Sequence, residues 1–182
     1  MKKILGACVL LLAAGCAPDN IKQTTALASD EGIVVLVPHC GSAVLSLEFY
    51  PADSRWESFG GALDMTGMST CEEGVKTIRI KQGRYAIGKM GARGVVGGIV
   101  VPRQYAYFFT VRADKLNYIG DIHGIEAVPA DPRTAPNVKV SAGIAVSNEP
   151  DRARAEIARL YPWLLERHEF IESPAAMLPP GS

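Results

Sequence analysis

Gln104 to Ile122 reads QYAYFFTVRADKLNYIGDI. Tyr105, Tyr107, Phe109 and Val111 fall in phase, Arg112-Ala113-Asp114-Lys115 interrupts, and Leu116 and Tyr118 resume the alternation. A period of two places every second side chain on one face, so the stretch predicts two half-buried strands joined by a turn, a hairpin at the centre of a sheet. Gly120 inside the second strand marks a bulge or a close backbone approach, and Asp121 stands at the strand end.

The same texture extends in both directions. Val75 to Lys81 and Arg84 to Lys89 flank Gln82-Gly83, which predicts a second hairpin. Upstream lie Ile33 to Val37 and Val44 to Tyr50, the latter with Leu45, Leu47 and Phe49 on one face. Pro51 to Thr70 loses its period and reads as a long loop holding a short strand around Trp56, with Trp56 and Phe59 plugging the core edge. Gly88 to Gly98 is dense in glycine and reads as a connecting loop. It lacks the G-x-x-x-x-G-K-[ST] arrangement by which a lysine and a hydroxyl hold nucleotide phosphates. Downstream, Pro129, Pro132 and Pro136 punctuate a connection before Val138 to Val146 alternates again.

Asn148 to Tyr161 is the one good helix, with Asn148 as cap, Pro150 and Asp151 in the first turn, and Ala153, Ile157, Leu160 and Tyr161 on one face. Pro162 stops or kinks it, Trp163 to Leu165 add an apolar anchor, and His168 to Glu172 is a candidate edge strand.

The amino terminus is an address. In MKKILGACVLLLAAGC, Lys2 and Lys3 precede an apolar run over Ile4 to Ala14, too short for the roughly 20 residues that cross a bilayer. Leu12-Ala13-Ala14-Gly15-Cys16 looks like a bacterial lipobox, with Ala13 standing where Leu is commonest. By that logic residues 1–15 are a signal peptide, and Cys16 carries the lipid. Residues 16–31 are a flexible tether averaging roughly 20 Å, 32–172 a β domain with its helix, and 173–182 a disordered tail. Ala17 rather than Asp follows the cysteine, which by the sorting logic of such proteins implies the outer membrane, facing the periplasm.

The set Gly83-Arg84-Tyr85-Ala86-Ile87, Tyr107-Phe108-Phe109-Thr110-Val111, Tyr118-Ile119-Gly120-Asp121-Ile122 and Ala155 to Tyr161-Pro162 resembles a group of small uncharacterised proteobacterial lipoproteins. The resemblance covers most of Gly32 to Leu165. It implies a mainly β fold, an antiparallel immunoglobulin-like β-sandwich with one C-terminal α-helix behind a lipoprotein signal peptide. Its motifs are structural and bring no catalytic residues.

Charge and cysteine usage narrow the function. With Lys2 and Lys3 removed, 17 basic residues face 19 acidic ones, and no cluster of Lys and Arg builds a phosphate-binding patch, so nucleic acid is not an expected partner. Cys40 and Cys71 remain as a pair in an oxidising compartment, which suggests a disulfide; unpaired buried thiols, or a metal or nucleophile role through His39-Cys40, are the alternatives. Metal binding is disfavoured because neighbours on a strand face opposite ways and His123 and His168 lack paired spacing.

Asp121 with His123 could form half of a triad with Ser42, Ser46 or Ser141, but none sits in a G-x-S-x-G elbow. Tyr105, Tyr107, Phe109 and Tyr118 could stack a ligand or fill a core. The expectation is therefore a non-enzymatic, membrane-anchored envelope lipoprotein without cofactor or metal, acting on an envelope partner through Trp56, Arg93 and Arg103. The alternative is a carbohydrate- or peptide-binding module.

Overall fold

The computed structural model describes residues 20–41, 44–92, 95–125 and 143–179, with the side chains of 59, 60, 62, 95–97 and 125 excepted. Two sheets face each other. The first contains β1 (Glu31–His39), β4 (Lys76–Lys81), β8 (Lys115–Ile125), β9 (Gly143–Ser147) and β10 (Glu169–Glu172), in the order β10-β8-β1-β4, with β9 also on β8. The second contains β2 (Val44–Pro51), β3 (Gly67–Thr70), β5 (Gly83–Ala92), β6 (Val95–Val100), β7 (Tyr107–Val111) and β11 (Ala176–Met177), in the order β11-β7-β5-β2-β3, with β6 also on β5. The chain is mainly β and sandwich-like. Most pairings are antiparallel, and β8 also runs parallel to β1 and to β10.

Helices α1 (Pro150–Leu160) and α2 (Pro162–Arg167) cover the outer face of the first sheet. The expected single helix is thus divided at Tyr161, because Pro162 cannot continue it but suits the first turn of the next. Two cores result. Leu36, Phe49, Ile78, Ile87, Phe109 and Ile119 pack between the sheets. Ile33, Val35, Val37, Leu116 and Tyr118 pack outward against Ile157 and Leu164. A strand buried on both faces needs apolar residues at every position, and Ile33-Val34-Val35-Leu36-Val37 supplies them.

Both expected hairpins are instead crossings between sheets. Val111 pairs with Gly83 in the second sheet, whereas Leu116 pairs with Ile33 in the first. The turn between them is held by buried Asn117, which accepts from the Arg112 N–H at 2.8 Å and donates to the carbonyls of Arg112, Lys115 and Ile33. Likewise Lys81 pairs with Glu31 and Gly83 with Val111, while the Gln82 N–H donates to Asp30 O at 2.6 Å. Alternation reports a strand with one buried face; it does not report which sheet supplies the neighbour.

Other expectations are also corrected. Leu45 is 48% exposed, since a register shift between Val44 and Ser46 turns it away from the core. In the glycine-rich stretch, residues 88–92 belong to β5 and 95–98 to β6, which pair with each other. Gly88 is buried where a Cβ would meet the Trp56 and Tyr50 rings at 2.8 Å. The short strand of the long loop is β3, and a 3-10 turn spans Phe59–Asp64; the Phe59 side chain lies outside the described residues.

Part of the expected tether is held by the domain. Ile21 is buried, its N–H donates to Thr77 Oγ1, and Asn20 Oδ1 accepts from the Thr77 N–H. The tail is held as well, since Ala175 is buried with its N–H on Ile119 O and β11 pairs with β7. Residues 1–19, the lipobox among them, and 126–142 lie outside the described residues.

Candidate functional site

The densest polar constellation forms where β1, β8 and β9 end beneath the start of α1, and the bulge at Gly120 creates it. Tyr118 pairs with Val35 but Gly120 with Leu36, so Ile119 is the extra residue. In unbroken alternation Asp121 would share the inward face of Ile119; the extra residue turns it outward beside Tyr118. Gly120 takes φ +117°, and a Cβ there would meet Val146 Cγ1 at 2.5 Å and Ser147 O at 2.9 Å, so the position suits only glycine.

Asp121 is fully buried and saturated with partners. The Tyr118 hydroxyl donates to Oδ2, Arg152 Nη2 donates to Oδ1, and His39 Nε2 stands 3.2 Å from Oδ1. Arg152 Nη2 also reaches His39 Nε2 at 2.8 Å, and Nη1 lies 3.3 Å from Glu149 Oε2. His39 Nε2 has a single hydrogen-bonding position, so it either accepts from Arg152 or donates to Asp121, according to which ring nitrogen carries the proton. The Glu149 N–H donates to the Tyr118 hydroxyl at 3.0 Å, tying the helix start to the sheet. Burial first, and then the bond to Asp121, hold the Tyr118 phenol well above its ordinary value of 10.0. The same carboxylate raises Arg152.

Beside this knot, His39 and His123 stack with ring centroids 4.7 Å apart, and His123 Nε2 lies 2.9 Å from Ser147 Oγ. The serine beside His123 is therefore not one of the three expected: Ser46 sits in the second sheet, and Ser42 and Ser141 lie outside the described residues. The Asp121 carboxylate serves Arg152 and Tyr118, with no hydrogen bond to His123. A Ser-His-Asp relay needs the carboxylate on the base, so the geometry is that of a pin for α1 with a Ser147–His123 pair beside it. Among the described residues no group of three or more His, Cys, Asp or Glu is arranged to hold a metal ion.

Cys40 and Cys71 are joined by a disulfide, with Cα atoms 5.5 Å apart. Cys40 faces the inner core while His39 faces outward.

The expected partner surface is corrected. Trp56 is 1% exposed, with its indole N–H on Val101 O at 2.9 Å. Arg103 stacks over that ring at 4.4 Å and donates to Ala52 O and Ser54 O at 2.7 and 2.9 Å, so both side chains are spent inside the fold. Arg93 lies outside the described residues. The four aromatics do not share a face: Phe109 is in the inner core and Tyr118 under the helices. Tyr105 and Tyr107, with Met90, Val100, Pro102 and Met177, line a recess of about 330 Å³. Tyr105 is 60% exposed, and Val100 and Met177 are exposed too.

Comparison with protein-family models, with curated proteins and with solved structures finds no match. Among the described residues no helix is long and apolar enough to cross a membrane.

Proposed function

We propose that this chain is a lipid-anchored protein of a bacterial envelope, held by Cys16 at the periplasmic face of the outer membrane, whose immunoglobulin-like sandwich acts by contact and not by catalysis. The lipobox-like Leu12 to Cys16 supports the anchor, and the Cys40–Cys71 bridge fits an oxidising compartment. Contact rather than catalysis is supported by the Asp121 carboxylate, whose partners hold a helix and leave His123 without an acid.

The observation that carries the reading is the recess at Tyr105. Soluble surfaces seldom gather exposed Val, Met and Tyr around one concavity, and such a patch marks a binding surface. The two tyrosines on that recess also favour the second reading, a carbohydrate- or peptide-binding module, since an exposed ring can stack on either.

A photo-cross-linker at position 177, on the rim of the recess, should capture an envelope component from the acylated protein, and Tyr105→Ala in that background should lose it while circular dichroism shows an intact fold. Capture unaffected by Tyr105→Ala would reject the recess. Mass spectrometry finding an unmodified amino terminus at residue 17 or later would reject the anchor.

A further inference from the structure

We infer that the domain rests against the lipid headgroups at the corner where the Lys22-Gln23 segment meets Arg167 and Trp163, rather than standing away on a tether. This rests on the lipid anchor proposed above. Asn20 and Ile21 are fastened to Thr77 of β4 by two hydrogen bonds, and Ile21 is buried in the core cluster that also holds Val75, Ile157 and Leu164. Four Cα steps separate Cys16 from Asn20, which at full extension span about 14 Å. The headgroup layer of one leaflet takes about 6 Å of that, leaving Asn20 within about 8 Å of the lipid surface, close to one Debye length at physiological salt.

The side chains beside the fastened segment suit such a surface. Arg167 Nη1 donates to Gln23 O at 3.2 Å and its guanidinium lies over the Trp163 ring at 5.5 Å. Lys22 is exposed with no carboxylate partner among the described residues, and Arg167 likewise. Glu166 is the neighbouring exposed carboxylate, displaced from Arg167 by one step around the helix. A half-buried tryptophan with a cation stacked on it, next to an exposed lysine, has the chemistry of residues that sit at headgroups, and two cations without a carboxylate partner among the described residues select an anionic lipid.

Trp163 can be read separately, because Trp56 is sealed in the fold and serves as an internal reference. The acylated full chain would be placed in vesicles containing brominated phosphatidylglycerol, with flotation and mass spectrometry confirming the anchor. Trp163 emission should fall about twofold, as expected for an indole at the interface. Trp163→Phe should abolish that response, and the double variant Lys22→Glu, Arg167→Glu should weaken it. Acylated protein that floats with vesicles but keeps its Trp163 emission would overturn the inference while leaving the anchor standing. Equal quenching by brominated phosphatidylcholine would overturn the role of the cations. An unacylated chain would refute the anchor itself, and this inference with it.

Discussion

Arg103 and Arg152 both fix a loop or helix to a sheet, yet they do so against opposite surroundings. Arg103 gives its fork to two neutral carbonyls and lays its face on Trp56, closing the loop from Ala52 to Trp56 over the second sheet. Arg152 meets a fully buried carboxylate, shared with Tyr118, and holds the start of α1 on the first sheet. Removing Arg103 would leave polar groups that water can reach, whereas removing Arg152 would leave a negative charge that it cannot. The two regions therefore differ less in how many bonds they make than in what remains when one is broken.

The largest effect should come from the ring under Arg103. Trp56→Ala empties a site bordered by Tyr50, Gly88 and Phe108 and should cost about 4 kcal/mol in denaturant unfolding. Arg152→Ala should cost about 2 kcal/mol, below the usual value for breaking a buried pair because its own side chain is half exposed and Tyr118 still serves Asp121. The Asp121→Asn variant, which removes the stranded charge, should recover part of that loss in the Arg152→Ala background. If the double variant were no more stable than Arg152→Ala, the buried charge would not be the source of the cost. Arg103→Ala should cost about 1 kcal/mol, and Arg103→Lys nearly as much, because an ammonium cannot bridge both carbonyls and cover the indole at once. Full rescue by lysine would reduce the clasp to simple charge.

Much of this was legible in the chain, and the failures share a cause. Alternation located the strands, Gly120 announced the bulge, Pro162 divided the helices, and His168 to Glu172 marked the edge strand that became β10. Each of these is a local property of a few neighbouring residues. The crossings at Arg112–Lys115 and Gln82-Gly83 were misread because pairing partners lie far off in sequence: Leu116 meets Ile33, and Gly83 meets Val111. The cluster at Asp121 was half legible for the same reason. Asp121 and His123 stood out together, but His39 arrives by the parallel register of β1 on β8, Ser147 through β9, and Arg152 from the helix. Trp56 does plug the core as its loop predicts, but with Arg103 it forms no surface anchor, because a cation–indole stack serves equally well inside a fold.

The smallest effect at neutral pH, and the one that sharpens the contrast, concerns a phenol in each region. Tyr118 is held above its ordinary value of 10.0 by burial and by Asp121; Tyr50, close to Trp56, is held above it by burial and by its bond to Glu48 at 2.6 Å. In both, the folded chain keeps its proton where the unfolded chain releases it. Below pH 10 neither residue makes stability depend on pH. Above it the unfolded state binds fewer protons than the folded one, so stability falls as pH rises. Thermal melts between pH 9 and 11, values that bracket the ordinary phenol range of about 10, should therefore decline in the native chain. Tyr118→Phe and Tyr50→Phe should each flatten that decline, because each removes one retained proton. A slope unchanged by Tyr118→Phe alone would mean that the helix start opens and ionises its phenol before the domain unfolds. The carboxylate pin would then be the looser of the two fastenings, despite its buried charge.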